Sequence, residues 1–371
     1  MFSRFKKIEA VNKVLAIIFA CLFFVSESQI KQDTSKKVNI LPLPLVFRSP
    51  ETWWALGMSG SVSFKTSFKN DTLTRTSNIQ ALGLFTERKQ NIQAIDATIY
   101  FPKEKYILYF QSSHTFFPDK YWGLGPNTTD NYENYRFEQI YFTTHFKRKV
   151  AKNTFIGILY ELQSLYNMNY IPNGSFDNTI TLGKNGSFVS GLGGSLGYDS
   201  RNSGFWPTKG IFVQTLITYF NTYLGSQFND LKTVIDLRYF KTTLYNQVLA
   251  LQFYSYSNSG QAPLRELAML GGSGNLRGFY QGRCRDNSML TGIAEYRMPI
   301  YSRFAVCVFI GGGKVYNEIE ELNKIYENIK YSYGGGLRFA VLKNEKLNLR
   351  LDYGYYNKLN KGFYFTIGEC F

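Results

Sequence analysis

The sequence predicts an exported, all-β protein: a transmembrane antiparallel β-barrel of sixteen strands. Three observations lead there. The N-terminus has the layout of an export signal. Tyr, Phe and Trp make up 17% of the 371 residues, yet the mean hydropathy is only −0.22. Apolar and polar residues alternate through a long series of short segments, as they do in strands that turn one face to lipid and the other to a wet lumen.

Residues 1–28 read as a signal peptide. MFSRFKKIEAVNK carries Arg4, Lys6, Lys7 and Lys13, and VLAIIFACLFFV, residues 14–25, is an apolar run too short to span a bilayer comfortably. SESQ then sets Ser26 and Ser28 as the small residues before a cleavage at Gln29. A lipoprotein cleavage in front of Cys21 fits less well, because Phe19 suits that pattern poorly and apolar residues run on past Cys21. The leader holds four basic and two acidic residues, so its removal lowers the formal net charge from +15 to +13. A basic exported chain can meet anionic headgroups, acidic partners or simply solvent, and export argues against nucleic acid. Residues 29–38 follow as a short linker, and 39–371 as the barrel domain.

The clearest strand is LNLRLDYGYY, residues 347–356. Leu347, Leu349, Leu351, Tyr353 and Tyr355 share one face, with Asn348, Arg350, Asp352 and Gly354 on the other. The terminal segment GFYFTIGECF repeats the pattern, with Phe363, Phe365, Ile367 and Phe371 on one face and Tyr364, Thr366, Gly368 and Cys370 on the other. Further strands are expected at 54–66, 76–87, 91–101, 104–114, 136–148, 152–165, 188–200, 209–221, 229–241, 246–257, 289–299, 303–312 and 330–341. NILPLPLVF, 39–47, completes an even number as a strand that Pro42 and Pro44 confine to an edge or seam. Short turns (LKNEK, YNKLNK) alternate with long polar connections at 115–135, 166–187 and 258–288, as the two ends of a barrel require. A secreted β-sandwich or propeller is the competing architecture. Its dry core would not tolerate Asp236, Arg238, Arg350 and Asp352 on the polar faces unpaired, whereas a wet lumen does.

Enzyme chemistry finds little to stand on. His114 and His145 are the only histidines and neither lies in a nucleophile or metal motif. GSGN lacks a strand–helix context for phosphate, and Ser273 is not in a Gly-x-Ser-x-Gly elbow. Cys284, Cys307 and Cys370 are odd in number and lack ligand spacing, so no metal site or disulfide framework is indicated; a single Cys284–Cys307 bridge stays open. No cofactor is expected.

Specific motifs come late in the chain. GYDSRNSGFWPTKG (197–210), GGSGNLRGFY (271–280), AEYRMPI (294–300) and a terminal phenylalanine follow one another. In this order they resemble the BamA/TamA (bacterial surface antigen) superfamily, and SPETWWALG and FFPDKYWGLG are similar to its shorter members. The resemblance implies a sixteen-stranded outer-membrane barrel of a Gram-negative bacterium that inserts or translocates client outer-membrane or exported proteins, with lipids and accessory periplasmic or lipoprotein subunits as further partners. A passive channel or structural surface barrel is the alternative. Only about twenty residues separate Gln29 from Ser49, fewer than one of the family's periplasmic POTRA domains, so a short form lacking them is expected.

The resemblance also implies that the Arg277-Gly278-Phe279 tip folds into the lumen as a latch, where the arginine pairs with a carboxylate. Gly311 stands where the family carries an acid, in VFIGGGKVY, so Asp352 is the expected partner, with Glu295 second. Reversing the charges of Arg277 and Asp352 is then expected to restore the pair in part. In the family-type turn, Asp199 and Asn202 are expected to hydrogen-bond local backbone while Pro207 and Gly210 shape the return. Arg201 belongs to the same turn, and partner docking is its lesser reading. Phe363, Phe365, Ile367 and Phe371 would form the C-terminal assembly signal. A seam between first and last strands, weakened by Pro42, Pro44, Gly362 and Gly368, would admit a client strand.

Overall fold

The computed structural model describes residues 38–66, 71, 74–180, 182–318, 323, 326–342 and 347–371. The signal peptide expected at 1–28 and the linker up to residue 37 lie outside the described residues. One sheet holds sixteen antiparallel strands in chain order. It begins with β1 (Val38–Ser49), β2 (Trp53–Phe64), β3 (Ser77–Thr86), β4 (Asn91–Tyr100) and β5 (Tyr106–Tyr121). It continues through β6 (Glu133–Ala151), β7 (Thr154–Asn169), β8 (Ser187–Asp199), β9 (Gly210–Phe220), β10 (Asp230–Thr242) and β11 (Val248–Gly260). A two-stranded hairpin, β12 (Ala268–Leu270) and β13 (Cys284–Asp286), interrupts the sequence but not the sheet. The last five strands are β14 (Ser288–Tyr301), β15 (Phe304–Tyr316), β16 (Lys330–Leu342), β17 (Leu347–Tyr355) and β18 (Lys361–Ile367).

Alternation sorts the side chains as a barrel requires. On β15, Val308 and Ile310 are 52% and 59% exposed outside, while Cys307 and Phe309 point inward and are buried. On β17, Asn348, Arg350 and Asp352 are buried inside and Leu351 and Tyr353 face out. Large outward side chains such as Leu337, Ile158 and Phe253 are the surface a bilayer covers, so their exposure to water is not a defect.

The sheet is nearly closed. β1 and β18 are neighbours, and Gly362 lies so close to Pro50 that a methyl group there would strike the proline ring. No ladder joins the two strands among the described residues. β1 is therefore an edge, the position in a sheet that tolerates Pro42 and Pro44 without losing ladder hydrogen bonds. Its other side keeps an unbroken register with β2, from Val38 opposite Phe64 to Ser49 opposite Trp53.

Several boundaries differ from the sequence reading. The connection expected at 115–135 shrinks to 122–132, because β5 runs on through Phe116-Phe117-Pro118 to Tyr121. Pro118 is accommodated because β4 pairs with β5 only up to Phe116, leaving one side of the strand free at the proline. β7 likewise extends to Asn169, and the loop after it contains a one-turn helix, Ser175–Thr179. β18 stops at Ile367, where Gly368 adopts a φ of 85° and turns the chain off the sheet.

The two faces yield a test. Leu337→Arg places a charge on the outer wall and should lower folding into vesicles by about 2–4 kcal/mol if it lies at mid-bilayer. The folded fraction would be read as the gel band that shifts on boiling. A parent protein that is extracted without detergent and shows no heat-dependent mobility would contradict the barrel.

Candidate functional site

The connection from Gln261 to Asn287 folds into the lumen. Leu270, Leu276, Phe279 and Cys284 form a small apolar core there with Met289 of β14 and Val315 of β15. This core is what lets a polar, glycine-loosened segment hold one shape inside a wet barrel.

Arg277 stands at its centre. Its Nη1 donates to Asp352 Oδ2 at 2.6 Å and its Nη2 to Glu295 Oε2 at 2.8 Å, and its guanidinium lies 3.5 Å above the Phe309 ring. All three charged side chains are buried, at 0–1% exposure. Both carboxylates expected from the sequence are thus gripped at once, by the planar fork that distinguishes arginine from lysine. Three more arginines complete the cluster. Arg297 Nε donates to Glu295 Oε1 at 2.8 Å, Arg338 bridges Asp352 and Glu369, and Arg350 Nε lies 3.4 Å from Asp352 Oδ2. Arg350 also donates to the Ser273 carbonyl at 3.2 Å, which ties the wall to the loop a second time.

The cluster revises the expectation that reversing one pair restores it. An aspartate at 277 would face Glu295, and an arginine at 352 would face Arg338 and Arg350. The unit is a network, and a reversal creates like-charge contacts on both sides.

The backbone of the tip is held as firmly as its charge. Tyr364 of β18 accepts from Gly278 N at 3.0 Å and donates to the Phe279 carbonyl at 2.9 Å. Gly278 has a φ of 107° and rests on β17 at Gly354, where an added Cβ would lie 2.5 Å from the Arg277 carbonyl carbon and 2.6 Å from Gly278 N. Gly311, where the resemblance implies an acid, instead offers a flat seat to Leu276, whose Cδ1 would come within 3.2 Å of a Cβ there.

A second anchorage lies across the lumen. Asp119 of β5 accepts from Tyr280 at 3.0 Å, Tyr135 at 2.8 Å and Arg285 at 2.8 Å. Glu51, in the β1–β2 turn, accepts from Gln281 N at 2.9 Å; burial pushes its carboxyl up from the usual range, while Ser49 and that backbone bond draw it back. Lys232 of β10 bridges Glu161 at 2.6 Å and Glu266 of the loop at 3.1 Å. Gly125 N bonds to the Arg285 carbonyl at 2.7 Å, so the β5–β6 loop packs on β13 as well. The motifs SPETWWALG and FFPDKYWGLG each contribute the acid that receives this loop, a role their sequences alone do not reveal.

The C-terminal segment departs from the expected strand face. Phe363 is 52% exposed outside, whereas Phe371 is buried in the lumen against Phe240, Ala250 and Ile293. After Gly368 the chain bends inward. Glu369 takes hydrogen bonds from Arg338 and Asn348, Cys370 donates to the Ser273 and Gly274 carbonyls, and Arg297 donates to the Phe371 carbonyl at 3.3 Å. The apolar series therefore splits: Phe363 and Phe365 stay on β18, and Phe371 joins the interior. The family-type turn meets it from below. Asp199 Oδ1 accepts from Arg201 N and Nε, Asn202 Oδ1 accepts from Thr208 N and Lys209 N, Pro207 is buried and Gly210 takes a φ of 113°. Trp206 is buried 5.2 Å from the Arg297 guanidinium.

Between the loop and the β4–β10 wall remains a cavity of about 920 Å³. His145 and Ser195 meet beside it at 2.6 Å, a pairing the sequence did not suggest. No carboxylate bonds to this histidine among the described residues, and the contact satisfies two polar groups that meet from β6 and β8 over Gly157 of β7. Cys284, Cys307 and Cys370 are free, which closes the question of a Cys284–Cys307 bridge. No His, Cys, Asp and Glu group among the described residues is arranged for a metal ion. Sequence reasoning missed Tyr364, Arg297, Arg338, Asp119 and Glu369. Tyr364, Arg297, Arg338 and Asp119 lie on strands, and Glu369 lies beyond the end of β18; no local pattern marks any of them as a partner of the loop.

A barrel of sixteen strands, unpaired at one seam and filled by a loop clamped through buried arginines, defines a plugged membrane barrel of the outer-membrane type. The chain belongs to the Omp85 superfamily, whose domain model matches residues 55–371. Among solved structures, BamA from Haemophilus ducreyi lacking POTRA domains 1–3 is similar at 13% identity and a TM-score of 0.56, over 90% of this chain and 70% of that one. CdiB from Acinetobacter baumannii is similar at 14% identity and a TM-score of 0.54, and CdiB from Escherichia coli at 10% and 0.57. Both alignments cover 90% of this chain, but only 60% and 62% of the two CdiB chains. A search of curated proteins found no match. The described residues contain the barrel and no POTRA domain.

Gly354→Ala should lift the tip off β17, because its methyl group has no room beside the Arg277 and Gly278 backbone. Limited proteolysis should then cut within 261–287 while the heat-sensitive gel band persists. Tyr364→Phe, which removes one hydroxyl serving two backbone groups, should cost about 1–3 kcal/mol. An alanine variant as resistant to protease as the parent would show that the loop does not press on this wall.

Proposed function

We propose that the protein assists insertion or translocation of other proteins across the outer membrane, using the seam between β1 and β18 as the place where a client strand pairs. One observation carries this reading: among the described residues the adjacent edge strands β1 and β18 lack a ladder, while β14 and β17 on one side of the seam are braced from inside through Arg277. An edge with free backbone donors and acceptors is a template for strand addition. The bracing supplies what an open seam otherwise lacks, a wall that keeps its register while its partner changes.

Membership of the Omp85 superfamily supports the reading, and so does likeness in fold to BamA and CdiB. No covalent step is involved. The chemistry is exchange of backbone hydrogen bonds at the seam and retention of the ion network behind it. In this reading the Arg277-Gly278-Phe279 tip is a latch, and Phe371 serves assembly by seating the end of the chain inside the barrel. Clients, outer-membrane lipids and periplasmic or lipoprotein subunits are the partners. A leader removed on export would bring the chain to the outer membrane of a Gram-negative cell. The loop filling the lumen weighs against a passive channel, whose steady conductance would be the sign of that alternative.

Depletion of the protein, followed by quantitative outer-membrane proteomics, should lower a defined set of barrel or exported proteins. Arg277→Ala should fail to restore that set. Glu295 and Asp352 keep Arg297, Arg338 and Arg350 in that variant, so the loop should lose its grip on the wall while the barrel itself stays folded. A Pro50→Cys, Gly362→Cys variant should lose activity under oxidant and regain it with reductant. Unchanged envelope composition on depletion would defeat the proposal, and full activity of the crosslinked barrel would remove the seam from it.

A further inference from the structure

A second cavity lies at the seam on the end carrying the long loops. Its volume is about 570 Å³, within the range of small-ligand sites. It reaches from Gly278 and Tyr280 in the lumen around the edge of β18 to the outward side chains Tyr353 and Phe363. Two features of its lining belong together. Trp53, Trp122 and Tyr132 line it with aromatic rings, and Arg48, Lys120 and Lys361 line it with cations. Among the described residues no carboxylate is in ion-pair contact with any of these three cations, whereas the nearby Arg283 is already paired with Asp130 at 2.9 Å. Lys120 Nζ sits 3.6 Å from the centre of the Tyr132 ring, held by an aromatic surface and still free to meet an anion.

We infer that this cavity receives the phosphorylated saccharide headgroup of a glycolipid. Unpaired cations set around one space call for a multiply charged anion. A bare phosphate would leave most of the volume unused, while the exposed parts of Trp53 and Tyr132 (45% and 46%) offer ring surface to the apolar faces of sugars. Because the cavity opens through an unpaired seam, acyl chains attached to the headgroup can lie outside along Leu359 and Phe363, which are 71% and 52% exposed. An extended peptide would occupy the strand edge, but it has no general need for three cations at one end.

The test uses the whole barrel in detergent, with bis-phosphorylated lipid A and its fully dephosphorylated form as probes and native mass spectrometry as the readout. The parent should retain the phosphorylated form at least about 10-fold better. Arg48→Gln, Lys120→Gln and Lys361→Gln combined should abolish the preference, since each basic residue near a charged lipid surface is worth about fivefold in binding. Lys152→Gln, Lys209→Gln and Lys241→Gln combined, an equal loss of charge on exposed residues at the opposite end, should leave it intact. Equal retention of both lipids by the parent would overturn the inference. So would an unchanged cavity variant, or a control variant that loses the preference equally. Retention of an acidic peptide but not of lipid A would assign the cavity to a polypeptide and overturn it too.

Discussion

The structure depends on buried charge being shared. Glu295 and Asp352 sit inside the wall with negligible exposure, on strands separated by β15 and β16, and four arginines crowd around them. Any one of these ions alone in such surroundings would be costly, and each carboxylate is held by more than one arginine. The cluster therefore couples elements that are distant in the chain: the loop through Arg277, β14 through Glu295, β16 through Arg338, β17 through Asp352 and the C-terminal segment through Glu369. The wall next to the seam owes its shape to this sharing more than to apolar packing, since much of its inner surface is glycine.

The anchorage on the other side has a different character. Asp119 and Glu51 accept mainly from tyrosine hydroxyls and backbone, with Arg285 at 2.8 Å and Arg265 at 3.8 Å as the cations on Asp119. The loop is thus clamped hard against β14–β18 and more lightly against β1–β5. Glu51 lies two residues beyond the end of β1, so the loop touches both margins of the seam. A change in how the margins are spaced must pull on this segment, and a change in this segment must reach the margins.

Much of the fold was legible in the sequence because period-two alternation is a local property. Leu349, Leu351 and Tyr353 declare one face of β17 and Arg350 and Asp352 the other without reference to any neighbour. The sixteen strands follow from counting such segments, together with the reading of Pro42 and Pro44 as an edge. Errors arose where a decision is made at long range. Pro118 looks like a strand breaker until β4 is seen to have ended. Phe371 continues the apolar series of β18, yet the interior offers it Phe240 and Arg297, and the freedom of Gly368 lets the chain reach them. Arg277, Asp352 and Glu295 could be grouped because they share a resemblance and an inward face. Arg338 and Tyr364 could not, since nothing local marks an inward arginine or tyrosine as belonging to one contact among many.

The glycines beneath the loop bear on how it can move. Gly311 and Gly313 on β15, and Gly354 on β17, meet Leu276, Leu270 and the Arg277–Gly278 backbone with no side chain of their own. Where two surfaces interlock through side chains, separation demands that rotamers yield in turn, and the path is rugged. Here one surface is smooth. Once its ionic grips let go, the segment can slide or lift as a rigid piece and return without searching for matching holes. What holds the loop down is the ionic cluster together with Tyr364 and the apolar core around Phe279.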